Sequence, residues 1–154
     1  MGCDIHVCAE RRDGDRWVHV SIEAEPFSNR NYRVFGFLAN VRNYFAVQPI
    51  ATPRGFPADA SDYARDDYEY YACDVHTPSW LMVEELTNYD YDQTIEDRRY
   101  IRQEGPNYFN GAATCELGAG KRVPLREFLG EKFFGDLAAL SEAGAERVVF
   151  WFDS

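Results

Sequence analysis

Five consecutive apolar residues, Val148-Val149-Phe150-Trp151-Phe152, follow Arg147 near the end of the chain. A strand with one wet face alternates apolar and polar residues, so an unbroken run marks a strand buried on both faces. The N-terminal segment supplies the expected neighbour. Asp13-Gly14 is a strong two-residue hairpin signal, because both positions tolerate positive φ. Placing it at the tip opposes Arg12 to Asp15, Ala9 to Val18, Val7 to Val20 and Ile5 to Ile22. All of these apolar side chains then share one face of the pleat. Cys3 falls on the same face and is expected in the core. The other face holds Asp4, His6, Cys8 and Glu10 opposite Glu23, Ser21, His19 and Trp17, with Cys8 and His19 roughly 5 Å apart at Cβ. If the closing strand lies beside this hairpin, that polar face is partly covered too. Covered polar groups must be paired, hydrogen-bonded or metal-bound.

The phrase Cys3-Asp4-Ile5-His6 returns as Cys73-Asp74-Val75-His76, using two of the three histidines and two of the four cysteines. Imidazole with carboxylate suits Zn²⁺ or Mn²⁺. Asp4, His6, Asp74 and His76 are therefore the expected ligands of a divalent metal, brought to one pocket from two distant stretches.

Between these landmarks, Ser28 or Asn29 is positioned to cap a helix from about Arg30 to Tyr44, with Phe35, Leu38 and Ala39 at helical spacing. Residues 46–60 read as loop. Residues 61–71, dense in Asp and Tyr, read either as an extended edge strand or as a lid. Thr77-Pro78 is a good N-cap and first-turn pair for a helix to about Asn88, which would put Ser79 at an anion-attracting helix start. Ile95 to Gln103 reads as a short helix. Tyr108 is expected to pack or to stack on a base. Pro124 begins a final helical region with Leu125, Phe128, Leu129, Phe133, Leu137 and Leu140 as its apolar stripe. A break is expected near Gly130 and a stop at Gly144. The expected fold is a single α+β domain spanning 1–154. It has a small, mostly antiparallel sheet, the N-terminal hairpin beside the C-terminal strand, packed on two to four helices with long irregular loops.

With 45% apolar and 16% aromatic residues among 154, the chain can bury a real core. The formal charge of -10, from 26 acidic and 16 basic residues, opposes binding to a nucleic-acid backbone. No run approaches the roughly 20 apolar residues of a membrane helix. Cysteines 3, 8, 73 and 115 contain no CxxC pair, so no zinc ribbon is expected. The opening residues alternate like a strand, without the apolar stretch of a secretory leader. Position 6 is His, where myristoylation requires Ser or Thr. A reducing cytoplasmic setting with free thiols follows as the expectation.

The opening Met1-Gly2-Cys3-Asp4-Ile5-His6, the Arg30-Asn31-Tyr32 and Leu38-Ala39-Asn40-Val41-Arg42 stretches, the Arg54-Gly55 turn, Ser79-Trp80-Leu81 and the closing Val149-Phe150-Trp151-Phe152-Asp153 resemble small bacteriophage and prophage proteins that begin M-G-C-D-I-H. The resemblance covers most of the chain. It implies a viral accessory role in the bacterial cytoplasm and assigns no reaction.

Two functions fit these residues. One is a metal- or nucleotide-binding protein, in its fullest form a metal-dependent hydrolase of a phosphate ester or nucleotide. Glu10 or Glu84 would then be the base, Arg30, Arg42 and Arg54 would hold phosphate, and Tyr32, Ser79 and Trp80 would line the ligand. The other is a non-enzymatic acidic inhibitor, a nucleic-acid mimic of a bacterial defence or DNA-binding protein, with residues 59–74 as its contact surface. A variant of it sequesters a nucleotide through the same arginines. The partner is accordingly a small phosphorylated ligand or a bacterial host protein, with no membrane.

Overall fold

The structure is a computed structural model and describes residues 2–101, 105–106 and 116–154. Arg102, Tyr108 and Cys115 lie outside the described residues. The elements are β1 (Asp4–Asp13), β2 (Arg16–Val20), α1 (Tyr32–Ala39), α2 (Asp62–Tyr70), β3 (Val75–Met82), α3 (Val83–Asn88), β4 (Thr94–Ile101), β5 (Gly105–Pro106), β6 (Gly120–Pro124), α4 (Leu125–Leu129), α5 (Glu131–Glu142) and β7 (Arg147–Asp153). β7 lies inside an antiparallel sheet of order β2-β1-β7-β3, and β4 pairs with β5 and β6 in a smaller sheet. This is the expected α+β architecture, with the hairpin beside the closing strand.

Every residue from Arg147 to Phe152 is buried. Val148, Phe150 and Phe152 face the main core with Cys3, Ile5, Val7 and Ala9 of the N-terminal segment, Leu81 of β3, and the apolar sides of α1, α3, α4 and α5. Val149 and Trp151 face a smaller cluster with Cys8, Ala60 and Ala64, flanked by Phe56, Tyr68 and Trp80. α2 and the preceding loop therefore cover the second face, which the continuous run demanded. Full burial of each large apolar side chain stabilises by about 1.5–3 kcal/mol.

The hairpin keeps the expected faces but not the expected register. Gly14-Asp15 forms the turn, with Gly14 at φ 66°. The pairs are Asp13 with Arg16, Glu10 with His19 and Ala9 with Val20. Glycine at the first central position is what a type II′ turn takes. Moving the tip by one residue shifts the partner strand by two, so inward and outward sets are unchanged. Cys8 and His19 are diagonal neighbours, not direct ones.

Four other elements differ from expectation. α1 stops at Ala39, because Asn40 adopts the left-handed conformation (φ 59°) and accepts the role of C-cap. Its N-cap is Asn31, whose side chain accepts from Arg33 N–H. Asn43 then staples the following turn, donating to the Val47 carbonyl at 2.7 Å and accepting from its N–H at 3.1 Å. Residues 62–70 are a helix, neither strand nor lid. Ser61 caps it through Ala64 N–H at 3.2 Å, and Asp62 suits the positive end of the dipole. Residues 75–82 are a strand, not a helix capped by Thr77. The pairing with β7 slips between His76 and Ser79, and Thr77 sits at φ 50° in that bulge. Pro78 fits there because a bulge needs no ladder N–H. Residues 94–101 are likewise a strand, with Ile95 opposite Val123 of β6. The last helical region matches expectation. Gly130, at φ 85°, separates α4 from α5, and all six stripe residues are buried.

One ion network ties the second face shut. Glu10 is wholly buried and accepts from Arg147 Nε at 2.7 Å and from Ser61 N–H at 2.6 Å. Arg147 also donates from Nη1 to Asp59 at 2.9 Å and lies 4.1 Å from the Trp17 ring centre. Trp17 Nε1 in turn donates to Asp59 at 3.1 Å. The Arg147 hydrogen bond holds the Asp59 carboxyl below its ordinary range. Its stabilising contribution is present above about pH 4 and is lost as pH falls through the lowered folded value. Arg147→Met should strand a buried carboxylate and cost about 3–5 kcal/mol in urea unfolding. Adding Glu10→Gln should recover a large part, since the amide still accepts from Ser61. Equal loss in the single and double variants would show that the charge itself is not the cause.

Candidate functional site

The two repeated phrases do meet, on either side of one strand. Asp4 and Val75 are both opposite Asp153 of β7. The phrases are therefore offset by one residue, and His6 faces Trp151 while His76 faces Phe152. A one-residue offset turns side chains to opposite faces of a sheet. His6 lies on the α2 side, its ring 5.9 Å from Trp151 and 4.6 Å from Tyr71. His76 lies on the other, 6.1 Å from the Phe152 ring. Each ring engages the end of β7: His6 Nε2 is 2.5 Å from Asp153 Oδ2, and His76 Nε2 is 3.1 Å from Ser154 Oγ. Asp74 is exposed in the turn before β3. The four expected metal ligands are not brought together. Among the described residues no three His, Cys, Asp or Glu side chains are grouped to hold one ion.

The opening phrase has a structural reading residue by residue. Asp4 takes both hydrogen bonds of the Arg30 fork, at 2.9 and 2.8 Å, which hold its carboxyl below the ordinary range. Gly2 lies under that guanidinium, where a Cβ would stand 2.1 Å from Arg30 Nη1. Cys3 is buried in the core, and its N–H donates to Tyr32 Oη at 3.1 Å.

The residues expected to hold phosphate are occupied by the protein itself. Arg30 is paired as above. Arg54 forms a two-point pair with Glu85, at 2.8 and 2.5 Å, and lies 4.6 Å from the Trp80 ring centre. Arg42 donates to Tyr44 Oη at 3.1 Å. Ser79 is buried and its Oγ accepts from Arg54 N–H at 3.0 Å, in a strand and not at a helix start. A carboxylate fills the geometry a phosphate would use on Arg30 and on Arg54. Glu10, one expected base, is locked under Arg147, while Glu84 is exposed on α3.

A different cleft, of about 330 Å³, opens where β2 diverges from β1 beside α2. β1 contributes His6 and Cys8, β2 contributes His19, and the next loop contributes Glu25. Tyr63 and Asp67 come from α2, with Tyr71 just beyond it. His19 stacks on Tyr63 at 3.7 Å, and burial lowers its pKa. Burial raises that of Glu25, although Val7 N–H donates to its Oε1 at 2.6 Å. Burial, with Asp67, Glu25 and Glu10 nearby, pushes the Cys8 thiol up to about 12. Such a thiol stays protonated and is no nucleophile at neutral pH. Sequence reasoning placed His6, Cys8 and His19 on one face. It had no signal for Glu25, which arrives from an irregular loop, or for Asp67 and Tyr71, which needed α2 to be read as a helix.

α2 itself buries only Ala64. Asp62, Asp66, Glu69 and Tyr70 are exposed, and Tyr63 and Tyr70 are 55% and 80% accessible. Its one cation, Arg65, folds back to donate to the Ala58 carbonyl at 2.9 Å. Among the described residues no helix is long and apolar enough to cross a membrane.

In comparisons with known proteins, the chain matches no family model, no curated protein and no solved structure. Burial also orders the thiols. In a Cys115→Ser variant, Cys73 should react rapidly with DTNB, while buried Cys3 and Cys8 react only as the protein unfolds. Rapid labelling of Cys8 in the folded protein would contradict the closed second face.

Proposed function

We propose that the protein is a non-enzymatic acidic binding module that docks through α2 onto a basic surface of another protein. The observation that carries this reading is the outward face of α2. Asp62, Asp66 and Glu69 are exposed on the helix against the single Arg65, that arginine is turned back onto its own loop, and Asp62 has only a loose 3.8 Å approach from Arg16. A fixed row of carboxylates resembles a row of phosphates to a basic partner and speeds encounter with it. Exposed tyrosines add contact area at small entropic cost, and tyrosine is enriched at interfaces. The favoured partner is the nucleic-acid-binding face of a bacterial protein, in keeping with the viral setting that the resemblance implies. The phosphate-ester reading is weaker, because its arginines already hold carboxylates or a tyrosine hydroxyl and its ligand quartet is split across the sheet.

The test uses a nona-arginine peptide as a basic probe and compares two triple variants of equal charge change. Asp62→Asn/Asp66→Asn/Glu69→Gln should weaken binding about threefold or more at low salt, since each exposed ion pair contributes about 0.2–1 kcal/mol. Glu127→Gln/Glu131→Gln/Glu142→Gln, on α4 and α5, should leave it nearly unchanged. Equal weakening by both sets would reduce the effect to net charge and overturn the assignment to α2.

A further inference from the structure

Several carboxylates of this chain are matched by a guanidinium, and the two that line the cleft beside α2 are not. Asp4 is matched by Arg30, Glu85 by Arg54, Asp97 by Arg99, and Glu10 and Asp59 by Arg147. Glu25 and Asp67 line one cleft that no lysine or arginine enters. The walls are aromatic: His19 stacked on Tyr63, and His6 against Tyr71. The His6 Nε2 is turned to Asp153; a carboxylate pair with π-faces and no guanidinium or ammonium of its own is complementary to an organic cation with a planar head. The volume, about 330 Å³, is at the small end for a ligand cleft and suits a side-chain tip better than a nucleotide. Position supports the same occupant. Tyr63 and Asp67 belong both to the cleft wall and to the helix whose outer face carries Asp62, Asp66 and Tyr70.

We propose that this cleft receives the guanidinium of an arginine side chain from the docked partner, held by Glu25 and Asp67 and stacked against the tyrosine and histidine rings. The inference rests on the docking reading above and names its anchor. Arginine is favoured over lysine because its planar fork meets a carboxylate at two points and stacks on rings, whereas an ammonium does neither as well. Burial raises the Glu25 pKa, which is the state of a carboxyl in need of a counter-ion, and an incoming guanidinium would reverse it.

The experiment is a ¹H–¹⁵N NMR titration of the full chain with N-acetyl-arginine amide, then N-acetyl-lysine amide, then zinc chloride. Arginine amide should shift the amides around His6, His19, Glu25 and Asp67 with millimolar affinity. Lysine amide should bind at least threefold more weakly. Glu25→Gln/Asp67→Asn should weaken arginine binding fivefold or more. The glutamine still accepts from Val7 N–H, so an unchanged spectrum away from the cleft verifies the fold. No arginine shift there, equal response to lysine, or saturable shifts with zinc alone would overturn the inference. The two readings fail separately. If the cleft variant leaves nona-arginine binding intact while the α2 triple variant abolishes it, docking stands and the anchor falls. If arginine amide binds the cleft but neither variant affects nona-arginine, the anchor stands and docking falls.

Discussion

Burial of β7 on both faces is the constraint from which the rest of the structure follows. Val148, Phe150 and Phe152 need one apolar layer and Val149 and Trp151 another. The first layer is built from four helices, and its size makes it the main source of stability. The second is thin. It consists of α2 and the loop before it, and it lies on a strand face that also carries His6, Cys8, Glu10 and His19. Covering that face without stranding a charge requires the Glu10–Arg147–Asp59 network, which passes from β1 through β7 to the loop and is packed between Trp17 and Trp80. The same face is left uncovered where β2 peels away from β1, and there the cleft opens.

α2 satisfies two demands that pull its composition apart. Inward it presents Ala64, with Ala60 and Tyr68 one helical turn to either side, enough to close over Trp151. Outward, Asp66, Glu69 and Tyr70 are exposed. A helix so poor in apolar residues gains little from propensity alone and depends on its cap and on the sheet beneath. Surplus exposed charge and aromatic area at that place are what a binding surface requires and a structural one does not. This separation of roles is why the docking reading stands on α2 and not on the helices across the sheet, each of which buries more of itself.

Much of this was legible in the sequence. The unbroken apolar run located the central strand and its neighbour, the alternation from Cys3 to Ala9 gave the correct faces, and the Gly130 break and the stripe of the last helices were read as they are. The failures share a cause: local signals admitted two structures and tertiary packing chose. Thr77-Pro78 is a helix start by composition, but β7 offered an edge, and the pair became a bulge in β3. The Tyr- and Asp-rich stretch hid its helical period because its inward face is only Ala64 and Tyr68. The split of the two histidines hung on a single-residue offset between β1 and β3 along β7, which no pattern in either phrase encodes. The repeated phrases converge on β7 as expected; the expected meeting of their imidazoles in one pocket does not occur.

The central physical claim is that β7 is sealed from both sides, with α2 as the second cover. Native-state amide hydrogen exchange tests it directly. Amides from Val148 to Phe152 should exchange only through global unfolding, with an opening free energy equal to that from urea denaturation. Exchange of those amides through a cheaper local opening that lifts α2 would contradict the account, because β7 would then be a one-faced strand with a loosely held flap.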